Sequence, residues 1–132
     1  MWPGFFSHNA AENPYWQNPR WYERDRPLFQ KYIPLIKRVA EAGWQPLTEA
    51  ACDNGQIMIE RFGPDAGGRI NLTLFNNTAA AQSGVVTINA AALGLPAAAR
   101  PSPLLGKEPE SIASGWRVEL QPEQSAVLQF TR

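Results

Sequence analysis

Ten residues, Gly68-Arg69-Ile70-Asn71-Leu72-Thr73-Leu74-Phe75-Asn76-Asn77, do most to limit what this chain can fold into. Ile70, Leu72 and Leu74 fall on one side and Arg69, Asn71 and Thr73 on the other. A strand can use that period of two and a helix cannot. The alternation predicts a sheet with a buried face and a wet face, the wet one carrying Asn71. Gly67-Gly68 opens the strand and Asn76-Asn77 closes it with turn chemistry.

The same period surrounds this strand. Ile57, Ile59 and Arg61 alternate with Met58, Glu60 and Phe62. Gly63 to Gly68, holding Pro64 and Asp65, reads as a hairpin turn, and Asp53-Asn54-Gly55 as an earlier turn. Val85 to Asn89 and Leu104-Leu105 read as short strands, with one helical turn expected near Ala90 to Leu95. Trp116, Val118 and Leu120 alternate with Arg117, Glu119 and Gln121, and Ala126, Leu128 and Phe130 with Val127 and Gln129. The expectation is a mainly β domain, an antiparallel sandwich of about six to eight short strands over residues 48–132.

Residues 1–47 read differently. Trp2, Phe5, Phe6, Tyr15, Trp16, Trp21 and Tyr22 crowd a segment that also holds Pro3, Pro14 and Pro19. The prolines argue against a continuous helix there, so an aromatic-rich loop is expected over residues 1–26, lying on some other surface. One amphipathic helix follows over residues 27–43. Pro27 takes its first position, Asp25 is the cap and Gly43 the stop. Leu28, Phe29, Tyr32, Ile33, Ile36, Val39 and Ala40 form its apolar stripe, and Pro34 should kink or restart it.

Composition closes several routes. The chain has 132 residues, enough for one ordinary domain, and 12 Lys plus Arg balance 12 Asp plus Glu. That neutrality gives no reason to expect nucleic acid or an anionic membrane as partner. One cysteine, Cys52, excludes an internal disulfide and a cysteine zinc cluster. Phosphate-loop, nucleophile-elbow and zinc-helix motifs are missing, so no cofactor or metal is expected. The chain as given shows neither an export signal nor an apolar run of spanning length, and its compartment is left open.

An aromatic loop, a helix and then a small β domain, in that order, resemble the C-terminal end of a (β/α)₈-barrel glycoside hydrolase. Met1 to Phe6 look like a final barrel strand entering its loop, Arg26 to Pro34 like a final barrel helix, and Ala42 to Leu47 like the crossing into a sandwich. Ile57 to Gly63, Leu72 to Asn77 and Val118 to Pro122 look like sandwich strands. The resemblance implies a non-catalytic accessory domain or fragment of a carbohydrate-active enzyme, whose partner is the parent barrel. As a detached chain it is expected to pair with a second copy. A barrel needs eight βα units and about 250 residues, and a retaining mechanism needs two carboxyl groups about 5 Å apart. The chain could hold only the last of those units, and nothing in the sequence brings two of its carboxyl groups together, so no catalytic residue is assigned. Two alternatives stay open: a self-contained glycan-binding module, and a structural or oligomerisation domain without ligand.

Trp2, Trp16 and Trp21 are the candidate carbohydrate contacts, because flat apolar rings suit the C–H faces of a sugar, although packing against the rest of the fold is the commoner use of such rings. His8 joins them as the single histidine, in the loop where the resemblance places substrate contacts. Glu12 is read as a surface residue. Asn71-Leu72-Thr73 and Asn76-Asn77-Thr78 match the glycosylation pattern, with Asn71 a poor acceptor inside a strand.

Overall fold

The alternation from Ile57 onward becomes two antiparallel sheets in the computed structural model, which describes residues 17–132. The chain divides into two compact units between Lys37 and Arg38. Of the first unit, the described part is most of helix α1, Pro19–Glu41, whose last residues belong to the second.

Helix α1 starts eight residues before the expected position. Asn18 precedes Pro19 and accepts the Trp21 N–H on its carbonyl at 2.9 Å, the same polar-cap-then-proline signal that Asp25 and Pro27 offer later. Trp21 and Tyr22 are therefore helical and not part of a loop. Asp25 is no cap. It lies inside the helix, buried, with both carboxylate oxygens held by the Arg24 guanidinium at 2.7 and 2.8 Å. Pro27 and Pro34 sit inside the helix and do not end it. Each costs about 3 kcal/mol in a helix interior. Spaced seven apart, they share the exposed face, where water can solvate the carbonyls they leave without a donor. Gly43 ends the helix as expected, at φ 81°, and donates to the Ala40 carbonyl at 3.0 Å.

The β unit has nine strands: β1 Trp44–Gln45, β2 Ala50–Cys52, β3 Ile57–Phe62, β4 Arg69–Asn76, β5 Gln82–Ile88, β6 Ser102–Leu105, β7 Glu110–Ile112, β8 Gly115–Leu120 and β9 Ser125–Thr131. They form a five-stranded sheet in the order β1-β3-β4-β9-β6 and a four-stranded sheet in the order β2-β5-β8-β7. This is a β-sandwich-like fold, as the alternation predicted, with β4 the middle strand of the larger sheet. Its register sets Ile70 opposite Phe130, Leu72 opposite Leu128 and Leu74 opposite Ala126. Those residues, with Ile57, make one wall of the core. Val86, Val118 and Leu120 make the other, and Leu93 and Leu95 plug it from the turn after β5. Trp116 meets Phe130 edge to face, with ring centroids 5.2 Å apart.

Two asparagines tie the sandwich together. Asn76, fully buried, donates from Nδ2 to the carbonyls of Ala80, Gln121 and Leu120 at 2.7, 2.8 and 3.3 Å, and accepts the Thr78 N–H and hydroxyl on Oδ1. Asn71 is 1% exposed, which corrects the expectation that its side of β4 is wet. Val127 and Gln129, its neighbours on that outer face, are buried too. Arg38, at the end of α1 and within the same unit, donates to Gln129 Oε1 at 2.9 Å. The outer face of the larger sheet is thus covered along β4 and β9.

Candidate functional site

Cover is lacking along the other margin of that face. Core-facing Ile57 and Ile59 leave Met58, Glu60 and Phe62 on the outer side of β3, and register brings Trp44 against Phe62 and Phe75 against Met58. Trp44 is 57% exposed, Met58 54% and Leu47, just beyond β1, 68%. Strand β1 is only two residues long, so it pairs with Arg61 and Phe62 alone. An apolar margin with Glu60 among its members results. Arg61, on the core side of β3, buries an Nε with no hydrogen-bond partner, the one such side-chain atom among the described residues.

Helix α1 carries a second apolar surface. Its 3.6 period gathers Trp21, Leu28, Ile33 and Ile36 with Phe29, Tyr32 and Leu35 into one broad arc. Phe29, Tyr32 and Leu35 are half-buried, but Leu28 is 54% and Ile36 52% exposed, with Trp21 and Ile33 close behind. Arg24 and Lys31 adjoin Leu28 at i−4 and i+3, and Lys37 adjoins Ile33 at i+4, so cations flank the arc. The helix holds six basic and three acidic residues, whereas residues 42–132 hold six basic and eight acidic ones.

Among the described residues, depressions of the β unit include three of note. The first, about 370 Å³, is walled by Trp116, Arg100, Thr87, Pro96, Ser111 and Ser114 among others. One ring, one guanidinium and several hydroxyls suit a polar ligand with an apolar face. Its lining holds no Asp, Glu, His or Cys, so no acid–base or nucleophilic pair can be assembled there. A second, about 210 Å³, exposes the core edges of Val118, Leu120, Ala126 and Leu128 behind a charged rim. On that rim Arg117 pairs with Glu110 at 3.0 Å across β8 and β7, an exposed pair that contributes little. A third is an open groove of about 480 Å³ beside β2, crossed by the bond from Asn89 to Glu49.

Trp2, His8 and Trp16 lie outside the described residues. Trp21, the remaining candidate, stands on α1 within the apolar arc. Alternation marks Trp116 only as a strand residue and gives no hint of the cleft beside it, because the facing wall comes from residues 96–100. No group of three or more His, Cys, Asp or Glu is placed to hold a metal among the described residues. No described helix is long and apolar enough to cross a membrane. Cys52 is partly buried, and burial pushes its thiol above the ordinary value.

The fold and its surfaces define a small β-sandwich-like protein led by an amphipathic helix. Comparison with known proteins finds no matching family model, no matching curated protein and no matching solved structure.

Proposed function

We propose that this chain is a non-catalytic C-terminal accessory β-sandwich, with its leading helix, of a carbohydrate-active enzyme of the glycoside hydrolase type, and that it stabilises the barrel it follows. The observation that carries this reading is the apolar arc of α1. Leu28, Ile33 and Ile36 remain exposed on a helix of 23 residues. A contiguous apolar surface of that kind marks a docking face rather than a solvent face. A last barrel helix needs such a face, because it packs on the strand before it and on its neighbouring helices.

A test follows from the gene. The reading frame ahead of Met1 is expected to encode further βα units, and that segment, expressed separately, should bind this chain and become more resistant to heat. An upstream frame without such units, or a barrel segment indifferent to this chain, would sink the proposal. The glycan-binding alternative draws on the Trp116 cleft. It predicts a change in tryptophan fluorescence on titration with oligosaccharides, lost in Trp116→Ala. The accessory reading predicts no change.

A further inference from the structure

The cleft beside Trp116 is built from two stretches of the β unit, the β7–β8 hairpin and residues 96–100. Strand β8 sets Trp116 opposite Ser111 of β7, so the two share one face of the smaller sheet. Trp116 is half-buried. Its edge-to-face contact with the fully buried Phe130, ring centroids 5.2 Å apart, holds the ring in place. Across the cleft, Ala99 donates its N–H to the Pro96 carbonyl at 2.9 Å and closes a turn. Arg100 follows that turn, and Pro101 after it disfavours a helical backbone there. No hydrogen bond or ion pair engages the Arg100 guanidinium or the Ser111 and Ser114 hydroxyls among the described residues. Glu110, next to Ser111, is taken by Arg117 at 3.0 Å. Among the described residues, Arg100 is the one charge on the lining.

We infer that this cleft binds a carboxylate carried on a hydroxylated six-membered ring, the chemistry of a sugar acid. A guanidinium fork meets a carboxylate with two parallel hydrogen bonds. One cation also matches one negative charge. A phosphate monoester brings nearly two, and no Lys or second Arg lines the cleft to meet them. The Trp116 ring suits a C–H face of the sugar, and each serine hydroxyl can donate to and accept from ring hydroxyls. A volume of about 370 Å³ lies near the lower end of the ~300–1,000 Å³ typical of small-molecule sites, room for about one ring. A wholly apolar acid fits less well, because it would strip water from the serines and return no hydrogen bond. Every residue of the cleft belongs to the β unit, so the inference goes beyond the docking face of α1 and does not rest on it.

NMR titration of the full chain tests this, following the assigned Trp116 indole N–H. The probes are galacturonate, glucose, glucose 6-phosphate and trigalacturonate. Galacturonate is expected to bind at about millimolar concentration and glucose at least about tenfold more weakly. Arg100 is exposed, so Arg100→Gln should keep the wild-type circular dichroism and urea midpoint. It should weaken galacturonate at least about tenfold and leave glucose unchanged. Galacturonate that leaves the Trp116 signal unmoved overturns the inference. So does glucose bound as tightly as galacturonate, galacturonate binding indifferent to Arg100→Gln, or glucose 6-phosphate bound more tightly than galacturonate. Trigalacturonate identifies the source of the acid, and both of its outcomes uphold the site. A trimer no tighter than the monomer assigns the cleft to a free sugar acid and leaves the accessory reading as it stands. A trimer at least about tenfold tighter assigns it to one unit of an acidic glycan and favours the glycan-binding alternative.

Discussion

Gln129 Nε2 donates to Asn71 Oδ1 at 2.9 Å across the β4–β9 ladder, on a face that alternation alone assigns to water. Both residues are buried, and Arg38 completes the chain of bonds by donating to Gln129 Oε1. A buried amide pair specifies what lies over it, because each side chain left without its partner is costly. Gln129→Leu, which leaves Asn71 Oδ1 without its donor, is expected to destabilise by about 1–3 kcal/mol. Asn71→Leu combined with Gln129→Leu should cost clearly less than the two single changes together, since neither polar group then remains buried. Urea midpoints of the four proteins measure the coupling. Additive losses would mean that the two amides act independently.

Asn76 is the more sensitive asparagine. Its Nδ2 has two hydrogens for three carbonyl acceptors, from the loop after β4 and from the end of β8. Asn76→Asp would point a carboxylate oxygen at those carbonyls in a fully buried site, and about 3 kcal/mol or more of stability should be lost. The same burial decides the glycosylation pattern. Expressed through a secretory pathway, the folded chain should carry no glycan at Asn71 or Asn76, and intact mass measurement of secreted protein reads this directly.

Much of the β unit was legible because its strands are long enough to show a period. β3, β4, β8 and β9 each run six residues or more, and their alternation located them. β1, β2 and β7 run two or three residues, too few for a period to register, and none was expected. The start of α1 was hidden because Pro19, with Pro3 and Pro14, argues against a continuous helix and Asp25-Pro27 offers a cap and a first position, while sequence does not reveal that a helix can run through Pro27 and Pro34 on its exposed face. The Trp116 cleft was hidden for another reason. Its walls come from β8 and from residues 96–100, which only folding brings together. The apolar margin was equally hidden, since β3 alternates alike whether its outer face is covered, as at Asn71, or bare, as at Met58.

Gly84 on β5 faces a neighbour it cannot crowd. A Cβ placed there would lie 2.5 Å from Cys52 Sγ, 3.1 Å from Asn54 Cβ and 3.2 Å from Asp53 Oδ1. Asp53 cannot yield, because Oδ1 accepts the Val85 N–H at 2.7 Å. Gly84→Ala should therefore destabilise by about 1–3 kcal/mol through crowding. Adding Cys52→Ala removes the nearest obstacle and should recover part of the loss, while Cys52→Ala alone changes stability much less. A double variant as unstable as Gly84→Ala would place the crowding elsewhere. The raised thiol value adds a chemical check. Cys52 should react with iodoacetamide at neutral pH more slowly in the folded chain than in urea.

The β3–β4 hairpin makes stability depend on acid. Asp65 Oδ1 accepts the backbone N–H groups of Gly67 and Arg69 at 2.8 and 3.0 Å, and Oδ2 accepts Arg69 Nε at 2.7 Å. These bonds hold the Asp65 carboxyl below its ordinary value of 3.8, the Arg69 backbone N–H contributing most and burial opposing. Because the folded value lies below the unfolded one, the contribution is complete above the unfolded value and fades as pH falls through the folded one. Asp65→Asn keeps an acceptor but loses the charge. It should be less stable than wild type at neutral pH, and the gap should close as pH falls below the ordinary carboxylate value and the wild-type carboxyl takes up its proton. Urea midpoints across that range measure it. A gap that stays constant down to the lowest pH would show that the hairpin depends on the shape of Asp65 and not on its charge.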